Sequence, residues 1–169
     1  PVTEIIFEVG FQTKSNFKLK PFLKWAGGKR WLVERPEFSL PEFTGTYIEP
    51  FLGGAAVFCS ISPHKAILAD VNKRLIETYS AIREHPSKIQ SLLAEHHRRH
   101  SKAYYYEERA RQRRSPASRA AQFLYLNRTC WNGLYRENLS GQFNVPICTK
   151  STVFDPLEDF GTWSRLIRN

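Results

Sequence analysis

The chain has 169 residues, 41% hydrophobic and 14% aromatic, enough apolar material for one ordinary domain with a core, which excludes wholesale disorder. The 25 Lys and Arg residues outnumber 16 Asp and Glu, and a net charge of +9 favours a polyanionic partner, nucleic acid foremost. Three scattered cysteines (Cys59, Cys130, Cys148) exclude a CxxC zinc site or disulfide framework, and no apolar run forms a membrane span or signal peptide, so a soluble, cytoplasmic protein with reduced thiols is expected.

In chain order, Ile5 to Phe11 alternate as a short extra strand would, within an N-terminal extension, residues 1–20, that carries no recognisable chemistry. Pro21 to Arg35 read as a loop with paired glycines, Gly27 and Gly28, running into a short helix. From Thr46 to Phe58 the pattern is a strand, a tight turn at Gly53-Gly54 and a helix start. Lys65 to Ala69 form a second apolar strand ending at Asp70, and Leu75, Ile76, Tyr79 and Ile82 then recur at helical spacing. Strand, helix, strand, helix is the opening of a parallel α/β sheet.

The character changes at Pro86. Ile89, Leu92 and Leu93 begin a helical stretch, and a basic run follows from His96 to Arg114, interrupted by Tyr104-Tyr105-Tyr106. A helix from Ala117 through Leu126 and a Gly/Asn-rich segment, residues 127–146, complete a mostly helical insertion. Arg109, Arg111, Arg113 and Arg114 cannot share one helix face, so only a subset is expected on phosphates. His96, His97 and His100 lack supporting acids or cysteines at ligand spacing, and no metal site is expected.

A strand ending in Glu49-Pro50-Phe51 and turning through Gly53-Gly54 into a helix lets backbone approach a ligand without interference from Cβ. The same glycines also suit an ordinary tight turn. Asp70, roughly twenty residues further on at the next strand end, is placed to accept hydrogen bonds from ribose hydroxyls. Gly-x-Gly-x-x-Gly is absent, which argues against a dinucleotide.

Six motifs then follow in order: Phe22-Leu23-Lys24-Trp25-Ala26-Gly27-Gly28-Lys29, Glu49-Pro50-Phe51-Leu52-Gly53-Gly54, Ala69-Asp70-Val71-Asn72, Phe123-Leu124-Tyr125-Leu126-Asn127-Arg128, Asn132-Gly133-Leu134-Tyr135-Arg136 and Gly141-Gln142-Phe143-Asn144-Val145-Pro146. In these motifs, over residues 21–147, the chain resembles the N-terminal portion of the Dam-like (D12 class) DNA adenine-N6 methyltransferases. The resemblance implies an α/β fold: a partial Rossmann-like methyltransferase sheet with an inserted, mostly helical DNA-recognition domain. Residues 21–76 would be the S-adenosylmethionine-binding part, 77–150 the helical target-recognition domain, and 151–169 the truncated start of a return to the sheet.

The cofactor implied is S-adenosylmethionine, and the residues implied to hold it are Trp25, Lys29, Phe51, Gly53, Gly54 and Asp70. The Trp25 indole would pack on it, the Lys29 ammonium would meet its carboxylate and Asp70 its ribose. The partner implied is double-stranded DNA. Lys24 would touch one end of the recognition site, Arg136 would read guanine through O6 and N7, and Leu134 would sense a thymine methyl. Trp131, where the family usually has a tyrosine, would fill the gap left by a flipped adenine, with Asn132 as a neighbouring polar contact. A GATC-like site follows from Arg136, Leu134 and Lys24. Without the resemblance, Trp25, Trp131 and Leu134 read as core residues and Lys29 as a helix-surface lysine.

The family completes its active site with Asp-Pro-Pro-Tyr, which this sequence does not contain. The nearest string, Phe154-Asp155-Pro156-Leu157, reads as a helix start with Asp155 as N-cap, and no catalytic residue is assigned. The expectation is half of a split or truncated site-specific adenine methyltransferase, completed by a second polypeptide that supplies Asp-Pro-Pro-Tyr and the remaining sheet. The start at Pro1 without any Met, and the uncapped helical turn from Trp163 to Asn169, read in the same sense or as an excised fragment. The alternative is a non-catalytic, sequence-specific DNA-binding protein derived from such an enzyme.

Overall fold

In the computed structural model, which describes residues 3–5, 20–149, 152–155 and 158–167, the apolar run Ala66–Asp70 forms the central strand, β3. Four of its five residues are buried, as a strand covered on both faces requires. β2 (Tyr47–Glu49) pairs with it in parallel, Ile48 opposite Ile67, and β1 (Thr3–Ile5) pairs antiparallel on the other side. The order β1-β3-β2 leaves β2 at the sheet edge among the described residues. The expected N-terminal strand therefore begins at Thr3; of its proposed length, residues 6–11 lie outside the described residues.

Several helices start where the sequence supplies a side-chain cap or an early proline. α1 (Arg30–Val33) follows the Gly27-Gly28 loop, and α2 (Ala56–Ile61) connects β2 to β3. α3 (Lys73–Glu84) begins on Asn72, whose side-chain oxygen accepts the Leu75 amide at 2.9 Å, and buries Leu75, Ile76, Tyr79 and Ile82. α4 (Pro86–Arg99) and α6 (Pro116–Thr129) each carry proline in the first turn, where no intrahelical amide is lost. Ser101 caps α5 (Lys102–Ala110) and Ser115 caps α6. The helix start read at Asp155 is displaced: Asp159 caps α7 (Phe160–Leu166) by accepting the Thr162 amide at 2.9 Å. The i, i+3 pair Phe160 and Trp163 explains the shift, because both are buried and set the helical phase. The Asp155 carbonyl instead accepts the Glu158 amide at 3.0 Å.

α6 is the spine of the helical layer. Ten of its 14 residues are buried, and it packs on α3, α4 and α5. One apolar cluster runs from Leu68 in the sheet through Tyr79 of α3 to Tyr125 of α6. Helices and sheet thus share a core, and the boundary read at 76/77 falls inside α3. α7 packs on α3 and α4, with Trp163 in edge contact with Phe22 at 4.7 Å between ring centroids. No helix of the described residues is long and apolar enough to cross a membrane.

The arginine run divides at Ala110, the end of α5, so Arg111 to Arg114 lie in the loop to α6. Arg113 forks onto the buried Glu108 carboxylate at 2.7 and 2.6 Å. Gln122 of α6 fastens the same loop, donating to the Glu108 and Arg111 carbonyls at 2.8 and 2.7 Å.

Between α4 and α6, His96 is buried, bonds the Tyr104 hydroxyl at 2.8 Å and stacks on Tyr125 at 4.8 Å. Burial pushes its pKa down from 6.5 to about 4; Glu108 and Glu95 oppose the shift, while Arg113 and Arg99 add to it. The folded chain therefore disfavours the imidazolium, so this contribution to stability is full above pH 6.5 and is lost as pH falls towards 4. Unfolding at about pH 5 and about pH 7 is expected to show His96→Gln losing roughly 2 kcal/mol less stability on acidification than the wild type. Equal losses in the two proteins would show that His96 does not titrate across the transition.

Candidate functional site

Asp70 organises the glycine turn. Its two carboxylate oxygens accept the Gly53 and Asn72 amides, each at 2.9 Å, which ties the turn after β2 to the end of β3. The Leu52 amide adds a bond to the Ala69 carbonyl at 2.8 Å, and the Tyr79 hydroxyl donates to the Gly53 carbonyl at 3.1 Å. Gly53 sits at φ +50°, and a Cβ there would lie 2.9 Å from Cδ1 of Trp25, so both backbone conformation and packing require glycine. Ala55, entering α2 at φ +58°, carries left-handed strain of about 1–2 kcal/mol. Asp70 is only 8% exposed, but each of its oxygens keeps a lone pair for a further donor.

Glu49 is a site residue to which the motif reading gave no role. One of its oxygens accepts the Tyr47 hydroxyl at 3.1 Å and the Phe58 amide of α2 at 3.2 Å. Burial pushes its pKa up to about 7, against the opposing pull of these two donors and of Lys29. Its signal in the sequence was position: an acid ending a parallel strand immediately before a glycine turn.

The second half of the site is a clasp. Asn127 of α6 is buried; its Oδ1 accepts the Lys24 amide at 3.1 Å, while Nδ2 donates to the Lys24 and Gly133 carbonyls at 2.8 and 3.0 Å. Trp25, half-buried, stacks on Tyr135 at 5.7 Å with the rings 25° apart. Trp131 to Leu134 form a turn closed by a bond from the Leu134 amide to the Trp131 carbonyl at 3.3 Å. Its central residues, Asn132 at φ +57° and Gly133 at φ +65°, are both left-handed, which the Asn-Gly pair tolerates best.

Trp131 is 58% exposed, so the reading of it as core is overturned: Cys130 and Gly133, not the Trp131 ring, are buried. Leu134 is half-buried against the core. Bridges between Cys130 and Ile147 and between Glu137 and Phe143 fold residues 130–147 back on themselves. On the returning arm, the Asn144 side chain accepts from Arg136 Nε at 2.9 Å and holds an otherwise exposed guanidinium.

A cleft of about 330 Å³ brings part of the two residue sets together: Lys24, Trp25, Gly54, Asn132 and Leu134 all line it. Lys29, Phe51, Gly53 and Asp70 lie outside its lining. The Lys29 ammonium donates to the Gly27 carbonyl at 2.7 Å, and the Phe51 ring is 83% exposed at the turn. Beyond the hairpin, a groove of about 580 Å³ is lined by Arg74, Arg109, Arg111 and Arg113 together with Asn138 and Asn144.

Because the folded-state pKa of Glu49 is raised from 4.5 to about 7, its contribution to stability is full below pH 4.5 and is lost as pH rises through 7. Glu49→Gln is expected to raise the stability of the ligand-free chain by about 1–3 kcal/mol at pH 8, with the advantage vanishing towards pH 4.5. A pH-independent difference in urea denaturation would contradict this origin.

Residues 25–169 match the family of D12 class N6 adenine-specific DNA methyltransferases. The chain is 40% identical over 139 residues to the Type II methyltransferase M1.LlaDCHI of Lactococcus lactis subsp. cremoris, covering 79% of this chain and 49% of that protein. It is 36% identical over 156 residues to the DNA adenine methylase of Serratia marcescens, covering 90% and 57% respectively. Against the DNA adenine methylase of Escherichia coli (strain K12) the identity is 38% over 133 residues, covering 76% and 48%. The chain thus spans about half the length of these curated relatives.

Proposed function

As the chain belongs to the D12 class N6 adenine-specific DNA methyltransferases, we propose that it is the S-adenosylmethionine-binding and duplex-reading half of a site-specific DNA adenine-N6 methyltransferase. The observation that carries this is the shared cleft, whose lining includes Trp25 and Gly54 of the cofactor set and Asn132 and Leu134 of the DNA set. A methyl donor and a base pair would have to meet in such a space.

The donor set suits the cofactor. Asp70 has a lone pair on each oxygen to offer ribose hydroxyls while it holds the turn, and Gly53 and Gly54 keep side chains out of the approach. Lys29 supplies a cation for the amino-acid carboxylate, and the exposed Phe51 ring offers apolar cover for the nucleoside. When bound, S-adenosylmethionine supplies a methyl group activated by its sulfonium. On the DNA side, the Asn144 contact aims the Arg136 guanidinium, leaving its terminal nitrogens for guanine O6 and N7. The exposed Trp131 indole is suited to the gap beside a flipped adenine, Leu134 to a thymine methyl and Lys24 to the end of a GATC-like site. Of the groove arginines, Arg111 and Arg113 pair with Glu107 and Glu108, and Arg74 and Arg109 would meet flanking phosphates and make binding salt-dependent.

Residues 21–76 would carry the cofactor set together with Lys24, and 77–150 the rest of the DNA set, while sharing one core. The Asp-Pro-Pro-Tyr groups that would accept the amino protons of adenine come from outside residues 1–169, either a continuation of the chain or a second polypeptide. The outer edge of β2, where Ile48 is 59% exposed, is the place for a further strand to pair.

Calorimetry with S-adenosylhomocysteine is expected to show binding by the wild type and a loss of about tenfold or more in Lys29→Ala, as for one charge-assisted contact. In gel-shift competition, Arg136→Ala is expected to lose about 1–3 kcal/mol of discrimination between the preferred duplex and permuted ones. Selective DNA binding without any cofactor binding would replace this reading with a non-catalytic DNA-binding protein.

A further inference from the structure

Asn127 has no place in the roles assigned above, yet its buried side chain spends both of its ends on backbone. The Oδ1 and Nδ2 atoms pair with the amide and carbonyl of Lys24 as a neighbouring strand would, at 3.1 and 2.8 Å. Nδ2 also donates to the Gly133 carbonyl at 3.0 Å. Lys24 and Gly133 belong to segments 109 residues apart in the chain (133 − 24); the first lies outside any helix or strand and the second in a single 3-10 turn, Trp131–Gly133.

Their contact is nonetheless tight. A Cβ on Gly133 would lie 2.6 Å from Cβ of Lys24 and 2.9 Å from its Cδ, so the reading turn rests directly on the lysine stem. The next residue, Trp25, stacks on Tyr135 two positions beyond that glycine. The anchor for the whole arrangement is α6, the most extensively buried helix of the described residues. A displacement of Trp25 would therefore be passed to Lys24, and through the Asn127 amide to the turn that carries Asn132, Leu134 and Arg136.

We propose that Asn127 is a positioning residue: it sets the register of the cofactor-side segment Lys24-Trp25 against the DNA-reading turn. Lys24 and Arg136 then reach their bases as one rigid unit, and cofactor and DNA binding strengthen each other. This rests on the functional reading given above. The chemistry favours an amide at this position. An aspartate would keep an acceptor for the Lys24 amide but would turn the donor end into an oxygen facing two carbonyls.

The test compares the wild-type chain with Asn127→Ala, Asn127→Asp and Gly133→Ala. Each is used to select from duplexes with a randomised six-base-pair core, then titrated with S-adenosylhomocysteine with and without the selected duplex. Binding to a fixed non-selected duplex is followed against salt. The wild type is expected to enrich one sequence and to bind S-adenosylhomocysteine at least about fivefold more tightly in its presence. All three variants are expected to lose about tenfold or more in selectivity and most of the coupling, with the salt slope of non-selected binding unchanged.

Retained selectivity in Asn127→Ala and Gly133→Ala overturns the proposal, as does a parallel loss of selected and non-selected binding. A readout on the wild type covers the case in which the variants fail to fold. S-adenosylhomocysteine alone is expected to shift the Asn127 side-chain amide and Gly133 amide resonances. Shifts confined to Trp25 and the Gly53 turn overturn the proposal. A wild type that binds the two ligands independently refutes the coupling but leaves the functional reading standing. A wild type that enriches no sequence and binds no S-adenosylhomocysteine removes the functional reading, and the positioning role with it.

Discussion

The two backbone amides held by Asp70 form the joint on which the site is built. Parallel strands cannot be linked by a tight hairpin, so the ends of β2 and β3 need a direct tie if the loops beyond them are to face one another. The Asp70 carboxylate provides it, bridging Gly53 after one strand and Asn72 after the other. Asn72 then caps α3, and Tyr79 of α3 returns to the Gly53 carbonyl. Turn, strand and helix thus close a ring of hydrogen bonds around a position where a side chain would collide with Trp25.

The helical layer solves a related problem with a buried helix that carries polar side chains. Buried amides and guanidinium groups are costly unless satisfied, and Gln122, Asn127 and Arg128 of α6 are satisfied mostly on loop backbone. Gln122 fastens the loop after α5, and Asn127 holds Lys24 and Gly133. Arg128 reaches the Phe22 and Val153 carbonyls as well as Glu158. Segments with little regular structure are thereby positioned by one rigid element, which suits a site assembled from loops.

This also divides the positive charge. Arg113 and Arg128 are absorbed by Glu108 and Glu158 inside the fold, so they contribute to architecture. Arg136 meets an amide, Asn144, instead of an acid, and keeps its full charge towards solvent. The net charge of +9 is therefore not spread evenly over one binding face; much of its local meaning comes from which arginines find a carboxylate.

The chain order of strands, glycine turn and helices was legible because periodicity, caps and glycines act over a few residues. The i, i+3 and i+4 spacing from Leu75 to Ile82 is local chemistry, and the structure carries it as written. The ordered motifs likewise identified the family that residues 25–169 match. Tertiary structure decided what depends on distant partners. Trp131 has the composition of a core residue yet faces solvent, because the Asn-Gly turn aims it outward. The helix start moved from Asp155 to Asp159 because Phe160 and Trp163 had to bury against α3 and α4. Asn127 meets Lys24 across 103 residues, and the raised pKa of Glu49 reflects desolvation that only packing produces. Local sequence sets backbone preference, but burial and long-range hydrogen bonding exist only once the chain has closed upon itself.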